Sequence, residues 1–354
     1  MRILILKFKT IGDVLLVTPL INNLKYFYPE SLIDIAVNSG TEEMLTLNQN
    51  INKILIYNRE KNKNTSILKK IYREYRFVKA IYSSRYNIVI DLDEGDRGAI
   101  ITMLTSANIK VGSDSVRAKL VKNTYTNFLP KRSGRHTVEV NLDALRVLNI
   151  PIKEKKVEIF WSENDEEIIN KKILNINNFI HIHPFSRVDL KELSSTSVAT
   201  IIDFCEINLG IKVVLTSAPE KEELSKSKKI LSLCNSWPIN LSGELTLKQV
   251  AIVNKKARFF IGVDTAIMHI SAANDTPVLA FFGPTNSNIW GPWNNEIFTP
   301  SLDKSQKLQI VGKHRVYSNF NSFYSQDVDN GLMSLDVEII KQQIVEMTNE
   351  NFST

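Results

Sequence analysis

Short, β-branched apolar runs alternate along this chain with longer stretches in which apolar residues recur every three or four positions. Runs at 2–8, 32–37, 53–57, 87–91 and 110–112 predict strands, and the segments 14–27, 66–83, 97–105 and 137–148 predict helices. Pro151 and a Lys/Glu-rich run at 153–158 break the rhythm, and Ser162-Glu163-Asn164-Asp165-Glu166 has the form of a helix start with acidic residues favouring its dipole. The alternation then resumes: strands at 179–183, 212–216, 239–241, 259–263 and 277–282, with helices at 195–207, 220–233, 247–254 and 266–273. The stretch 290–323 reads as irregular and 335–348 as a closing helix. Strand-helix alternation of this kind predicts an α/β chain with parallel sheets covered on both faces.

A chain of 354 residues exceeds what one hydrophobic core usually supports, so two domains are expected. The divisions are 1–160 for the first lobe, 161–178 for a linker and opening helix, 179–334 for the second lobe, and 335–354 for a closing helix that can cross back onto the first. No sequence repeat links the halves, and their charges differ. Residues 1–160 carry 26 Lys+Arg against 16 Asp+Glu, net +10, while 161–354 carry 18 against 22, net −4. The basic half is expected to meet an anionic partner. Cys205 and Cys234 have neither disulfide-framework nor zinc spacing, which fits a reducing compartment. The apolar opening is too short for a signal-peptide core and no run approaches a membrane span, so a cytoplasmic protein is expected, peripheral on a membrane at most.

Two passages carry chemistry. Gly262-Val263-Asp264-Thr265-Ala266-Ile267-Met268-His269 and the following Thr276–Thr285 region read as strand, turn, helix, strand and Gly-Pro loop. That order collects helix N-terminal N–H groups, a carboxylate and an imidazole at one end of a parallel sheet, a setting suited to the diphosphate of a nucleotide-sugar. At the front, the first strand runs into Lys9-Thr10-Ile11-Gly12-Asp13 and a helix expected to begin near Val14.

These residues, with Ile11-Gly12-Asp13-Val14-Leu15-Leu16-Val17-Thr18-Pro19 and His181-Ile182-His183-Pro184-Phe185-Ser186-Arg187, resemble the lipopolysaccharide core heptosyltransferases, the ADP-heptose-using transferases of glycosyltransferase family 9. The resemblance covers almost the whole chain. Lys7-Phe8-Lys9 and the His-Pro-Phe-Ser-Arg run look most like the type III enzymes, which add a branching heptose to the second heptose of the inner core. It implies a GT-B type fold of two Rossmann-like, doubly wound lobes with an interdomain cleft, the acceptor in the first lobe and the donor in the second. It also implies inverting transfer with no cofactor and no metal.

On that resemblance Asp13 is the catalytic base, with Thr10 and Gly12 shaping its loop; read from the residues alone, Asp13 is an N-cap. Asp264, Thr265 and His269 belong to a donor-binding Asp-Thr-Gly-x-x-His segment in which Ala266 replaces Gly, a methyl that restricts close approach and positive φ. Lys191 lies where the family carries a phosphate-binding lysine, offset by one residue from the type I pattern, the alternative being a solvated loop lysine; Ser186 and Arg187 stand near it, and Gly283 and Thr285 complete the diphosphate loop. Glu220 and Glu222 flank the position expected to hold ribose, the alternative being an acidic helix start. Arg97, Arg117, Lys119, Arg132, Arg135 and His136 are candidates for a lipid-linked, phosphorylated saccharide, or plain surface charges. Asp91-Leu92-Asp93 imitates a metal-binding Asp-x-Asp but falls in the acceptor lobe, where no metal is expected.

The run 61–70 with Tyr72, Arg73, Tyr75, Arg76 and Phe77 interleaves cations and aromatics. It reads either as contact with an anionic inner-membrane leaflet or as a solvated amphipathic helix. Competing functions are a type I or II core heptosyltransferase, a nucleotide-sugar epimerase on the same scaffold, and a non-catalytic basic protein binding nucleic acid or lipid. No nucleic-acid motif supports the last, and no Gly-x-Gly-x-x-Gly supports an oxidoreductase.

Overall fold

Strands β1 (Arg2–Lys7), β2 (Leu32–Asn38), β3 (Lys53–Tyr57), β4 (Ile88–Asp91), β5 (Ile109–Ser113) and β6 (Asn127–Leu129) form one sheet in the order β3-β2-β1-β4-β5-β6. Every pairing in it is parallel. The crossovers are α1 (Ile11–Leu15) and α2 (Thr18–Phe27), α3 (Ile67–Ser83), α4 (Asp96–Met103) and α5 (Thr137–Val147). This computed structural model describes residues 1–58, 66–115, 123–174, 176–295, 308–318, 332 and 335–350. The chain divides into two units, Met1–Phe160 and Trp161–Thr354.

The second unit opens with α6 (Glu163–Lys172), whose Ser162/Asp165 capping box satisfies its first N–H groups. Then follow β7 (Phe179–His183), α7 (Ser195–Asp203), β8 (Lys212–Leu215), α8 (Lys221–Leu233), β9 (Ile239–Asn240), α9 (Leu247–Lys256), β10 (Phe259–Val263), α10 (Ala266–Ala273), β11 (Val278–Phe282), α11 (Ser287–Trp290), β12 (Leu308–Val311), β13 (His314–Ser318) and α12 (Val337–Asn349). The sheet order is β12-β13-β11-β10-β7-β8-β9, with only the β12/β13 pair antiparallel. In each sheet the winding direction reverses between two central strands, β1/β4 and β7/β10. Open α/β sheets bind ligands beyond the carboxyl ends of such strands.

Strands β7, β10 and β11 are buried at every position, covered on both faces of the sheet; β10 and β11 carry no polar side chain, while β7 carries His181 and His183. Ile340, Ile344 and Met347 of α12 enter the same core cluster as Ile180, Val198 and Phe281. The closing helix, for which the sequence left a return to the first unit open, packs its apolar face on the core of the second unit.

Three other expectations change. The helix expected over 14–27 is two helices, because the chain turns at Leu16-Val17 ahead of Pro19. The stretch read as irregular contains the β12/β13 hairpin, turned at Gly312 with φ +56°. Its apolar signature is masked by Arg315, which is buried in β13 and gives its charge to Glu346 and Glu350 while donating to Gln343 at 2.5 Å. The three-residue β6 was not anticipated at all; it is too short to show an alternation.

Gly98 lets α4 approach the end of β4 closely: a Cβ there would lie 2.1 Å from Asp91 Oδ2. Gly98→Ala is expected to destabilise the protein by about 1–3 kcal/mol through overpacking, seen as a lower urea midpoint with an unchanged m-value.

Candidate functional site

At the end of β1 the chain enters α1 with Thr10 as N-cap and Asp13 at the third helical position. Asp13 is therefore not the N-cap, and the helix starts at Ile11. Asp13 Oδ2 accepts from Thr10 Oγ1 at 2.7 Å and from Thr10 N at 3.2 Å. The other carboxylate oxygen, Oδ1, is buried and has no protein hydrogen bond. A carboxylate held through one oxygen keeps the lone pairs of the other for a hydroxyl, once the surrounding loops move to admit one. Gly12 is buried within the same turn.

Behind Asp13 lies a buried charge cluster. Lys7 is fully buried and donates to Asn141 Oδ1 at 3.2 Å, and Asn141 in turn donates to Leu16 O at 2.8 Å. Burial lowers the Lys7 pKa, while Asp13 and Asp93 oppose that shift. Asp93 Oδ2 accepts from Phe8 N at 2.6 Å, and its buried Oδ1 has no protein partner. Burial raises the Asp93 pKa against the pull of Lys7. Burial also pushes the Asp91 carboxyl up to about 7, although Tyr125 donates to its Oδ2 at 2.5 Å and Asp93 N to its Oδ1 at 3.0 Å. Asp93, Asn141, Ser113 and Arg132 line an open pocket beside the ends of β4 to β6.

In the second unit, Lys191 ends a short 3-10 turn, Asp189–Lys191, and its ammonium meets Asp264 Oδ2 at 2.6 Å. Gly283 packs against that turn so closely that a Cβ would lie 2.7 Å from Leu190 O. The Gly-Pro loop, the lysine and the Asp264 loop therefore converge at the carboxyl ends of β7, β10 and β11. Thr265 is the N-cap of α10 with its hydroxyl buried and unbonded to protein, so the first N–H groups of α10 are left for another acceptor. Ala266 opens the helix without positive φ. His269, one turn in, is buried.

Other expected residues are committed elsewhere. Ser186 donates its backbone N–H to Glu192 at 2.8 Å and its hydroxyl accepts from Val188 N; Arg187 is exposed. Glu220 is the exposed N-cap residue of α8 and Glu222 pairs with Lys226 at 3.1 Å, an acidic helix start. Arg97 lies over the rings of Tyr57 and Phe8 and pairs with Glu74. Arg135 forks onto Asp143, His136 caps α5 by accepting from Val138 N, and Arg132 pairs with Glu94. Thr285 is half-buried in the Gly-Pro loop. Arg117 and Lys119 lie outside the described residues. Among the described residues no group of three or more His, Cys, Asp or Glu is placed to hold a metal ion.

Sequence reasoning missed the polar groups that hold this edge together. Glu192 is buried and bridges Ser186 N to Lys226 Nζ, 2.8 Å away. Glu223, not Glu220 or Glu222, turns inward to accept from Ala218 N at 2.7 Å. His181 donates from Nδ1 to Asn254 Oδ1 at 2.5 Å, and its Nε2 lies 2.7 Å from the Thr216 hydroxyl, which His183 Nδ1 reaches at 3.0 Å. A polar residue in a strand announces itself in the sequence, but its partner on another element does not.

Residues 74–319 match the model of glycosyltransferase family 9 (heptosyltransferase). A curated relative, lipopolysaccharide heptosyltransferase 3 of Escherichia coli, is 29% identical over 292 residues, covering 81% of this chain and 84% of that protein. A glycosyl transferase family 9 structure from Veillonella parvula DSM 2008 superposes with a TM-score of 0.80 at 18% identity, over 98% of this chain and 96% of that one. E. coli heptosyltransferase WaaC with ADP does so with a TM-score of 0.74 at 20% identity, over 98% and 100%. These likenesses establish the fold as the α/β, GT-B type expected from the sequence.

Burial holds His181 down to about 4 and His183 to about 3, so both rings are neutral at pH 7. The unfolded chain binds protons below pH 6.5 that the folded chain refuses, so the stability linked to these rings is full above pH 6.5 and declines as pH falls toward 4. The limiting slope is about 1.4 kcal/mol per pH unit per ring. A His181→Gln/His183→Gln double variant is expected to show a flatter dependence of unfolding free energy on pH between 6.5 and 4.5, measured by urea denaturation.

Proposed function

The chain belongs to glycosyltransferase family 9, the heptosyltransferases, and from that premise we propose that it transfers heptose from ADP-heptose to a heptose of the lipopolysaccharide inner core, in the manner of type III enzymes and with inversion. The similarity to lipopolysaccharide heptosyltransferase 3 supports the choice of acceptor class. The likeness to a fold solved with ADP supports the donor nucleotide. A lipid-linked acceptor places the reaction on the cytoplasmic face of the inner membrane, and no described helix is long and apolar enough to cross that membrane.

One observation carries the mechanism: Asp13 is pinned through Oδ2 while its buried Oδ1 has no protein hydrogen bond. In this reading Oδ1 accepts the proton of the acceptor hydroxyl as its oxygen attacks the anomeric carbon. The C–O bond to ADP breaks on the opposite face, and the bonding pair leaves with the diphosphate. Lys191, the first N–H groups of α10 and the Gly283–Thr285 loop receive that charge. Lys191 is already charge-paired with Asp264, so the diphosphate would take over a cation that the protein holds in place. With a lysine and helix N–H groups assigned to this task, the reading needs no metal.

Asp13→Asn keeps an acceptor for the Thr10 donors and removes the base. It is expected to lower kcat by about 10²–10⁴-fold with the ADP-heptose KM little changed, measured as acceptor-dependent ADP release. Lys191→Ala is expected to act on the donor side instead, raising the ADP-heptose KM about tenfold or more, as loss of a charge-assisted contact does.

A further inference from the structure

Helix α3 presents an apolar surface that the fold does not use. Of its residues only Ile81 is fully buried. It is attached along one edge, where Phe77 meets Tyr57 and Phe8 edge-on at 5.4 and 6.2 Å and Glu74 accepts from Tyr57 and pairs with Arg97. The remaining apolar residues face outward: Ile67 is 73% exposed, Leu68 79%, and Ile71, Tyr72, Tyr75 and Tyr82 each more than half. At 100° per residue these six fall within an arc of about 140°.

Cations border that arc on one side, where Arg76 and Lys69 follow it, and Lys79 falls within it. Lys69, Lys70, Arg73, Arg76 and Lys79 are the helix's basic residues, against the single acidic Glu74, which lies on the attached edge. Lys79 lies over the Tyr75 ring at 5.6 Å and Arg76 over Tyr72 at 6.0 Å. The charged heads themselves lie over the two ring faces. An apolar face bordered by Lys and Arg, with tyrosines at the boundary, has the composition of a helix lying in the plane of a lipid interface. A two-fold contact with a second copy would bring five cations against five like charges. Duplex nucleic acid would use the cations and leave Ile67, Leu68 and Ile71 unpaired with anything.

We propose that the outer face of α3 docks the protein on an anionic bilayer, inserting Ile67, Leu68, Ile71, Tyr72 and Tyr75 at headgroup depth while Lys69, Arg76 and Lys79 contact lipid phosphates. The surface stands on these residues alone; its purpose, access to a lipid-linked acceptor, rests on the heptosyltransferase reading. Docking there would confine the search for a lipid-linked substrate to the membrane plane.

The test uses the full chain and phosphatidylglycerol/phosphatidylcholine vesicles, with pure phosphatidylcholine vesicles alongside. Sedimentation should show binding to the anionic vesicles that weakens as salt rises, and little to the neutral ones. Arg76→Glu/Lys79→Glu and, separately, Ile71→Ser/Tyr75→Ser should each reduce anionic-vesicle binding about tenfold or more. Their melting temperatures and turnover with a water-soluble, deacylated core acceptor should match the parent. Equal binding to both vesicle types, or binding unchanged in either double variant, would overturn the proposal. So would a dimer in analytical ultracentrifugation that the serine substitutions dissociate. Vesicle binding as expected with no transfer from ADP-heptose would leave this surface standing and remove the proposed reaction.

Discussion

A parallel βα repeat leaves each strand at its carboxyl end and enters each helix at its amino end, so unpaired N–H groups and the side chains between them collect along one edge of each sheet. The rest of the molecule answers to that constraint. In the second unit the edge of β7, β10 and β11 gathers Lys191, Asp264, Thr265 and Gly283 from three separate loops. A cation there needs a counter-charge when no ligand is bound, and Asp264 supplies it at 2.6 Å. The neighbouring histidines add no competing charge, because burial keeps both neutral. The edge thus presents one positive charge held by Asp264 and fixed backbone dipoles.

The first unit meets the same constraint with opposite polarity. Its edge carries Asp13, Asp91 and Asp93, and the fully buried Lys7 lies among them. Removing Lys7 would leave two buried carboxylates facing each other without a cation, and removing the carboxylates would leave a buried ammonium with only Asn141. The cluster therefore holds as a set, and its members are contributed by β1, α1, the loop after β4 and α5. That shared requirement ties α5, far along the chain, to the first strand.

Much of this was legible in the sequence because buried parallel strands are continuous apolar runs and the loops between them carry Gly, Pro and capping residues. The strands at 179–183 and 259–263 coincide with β7 and β10. What escaped was whatever depends on a distant partner. Arg315 hid β13, since a buried arginine is tolerable only against Glu346 and Glu350, which the local pattern cannot show. The concern over Ala266 came from assuming a glycine-like backbone; the chain enters α10 with ordinary helical φ there, so the methyl brings no backbone strain. The aromatic residues of α3 divide, with Phe77 inward and Tyr72 and Tyr75 outward, a split that depends on which edge of the helix the sheet accepts.

Asp91 and Asp93 show how two identical residues at one strand end part company. Asp91 faces Gly98 and Tyr125, and its complete burial, with the charge of Asp93 beside it, pushes it up to about 7 against the pull of two hydrogen bonds and of Lys7. Asp93 donates the backbone N–H that Asp91 accepts, takes one from Phe8 and keeps its Oδ1 unbonded to protein. The Asp-x-Asp spacing follows the geometry of a strand end: one buried carboxyl accepts the backbone N–H of the other residue and so anchors the turn in which that second carboxyl is presented.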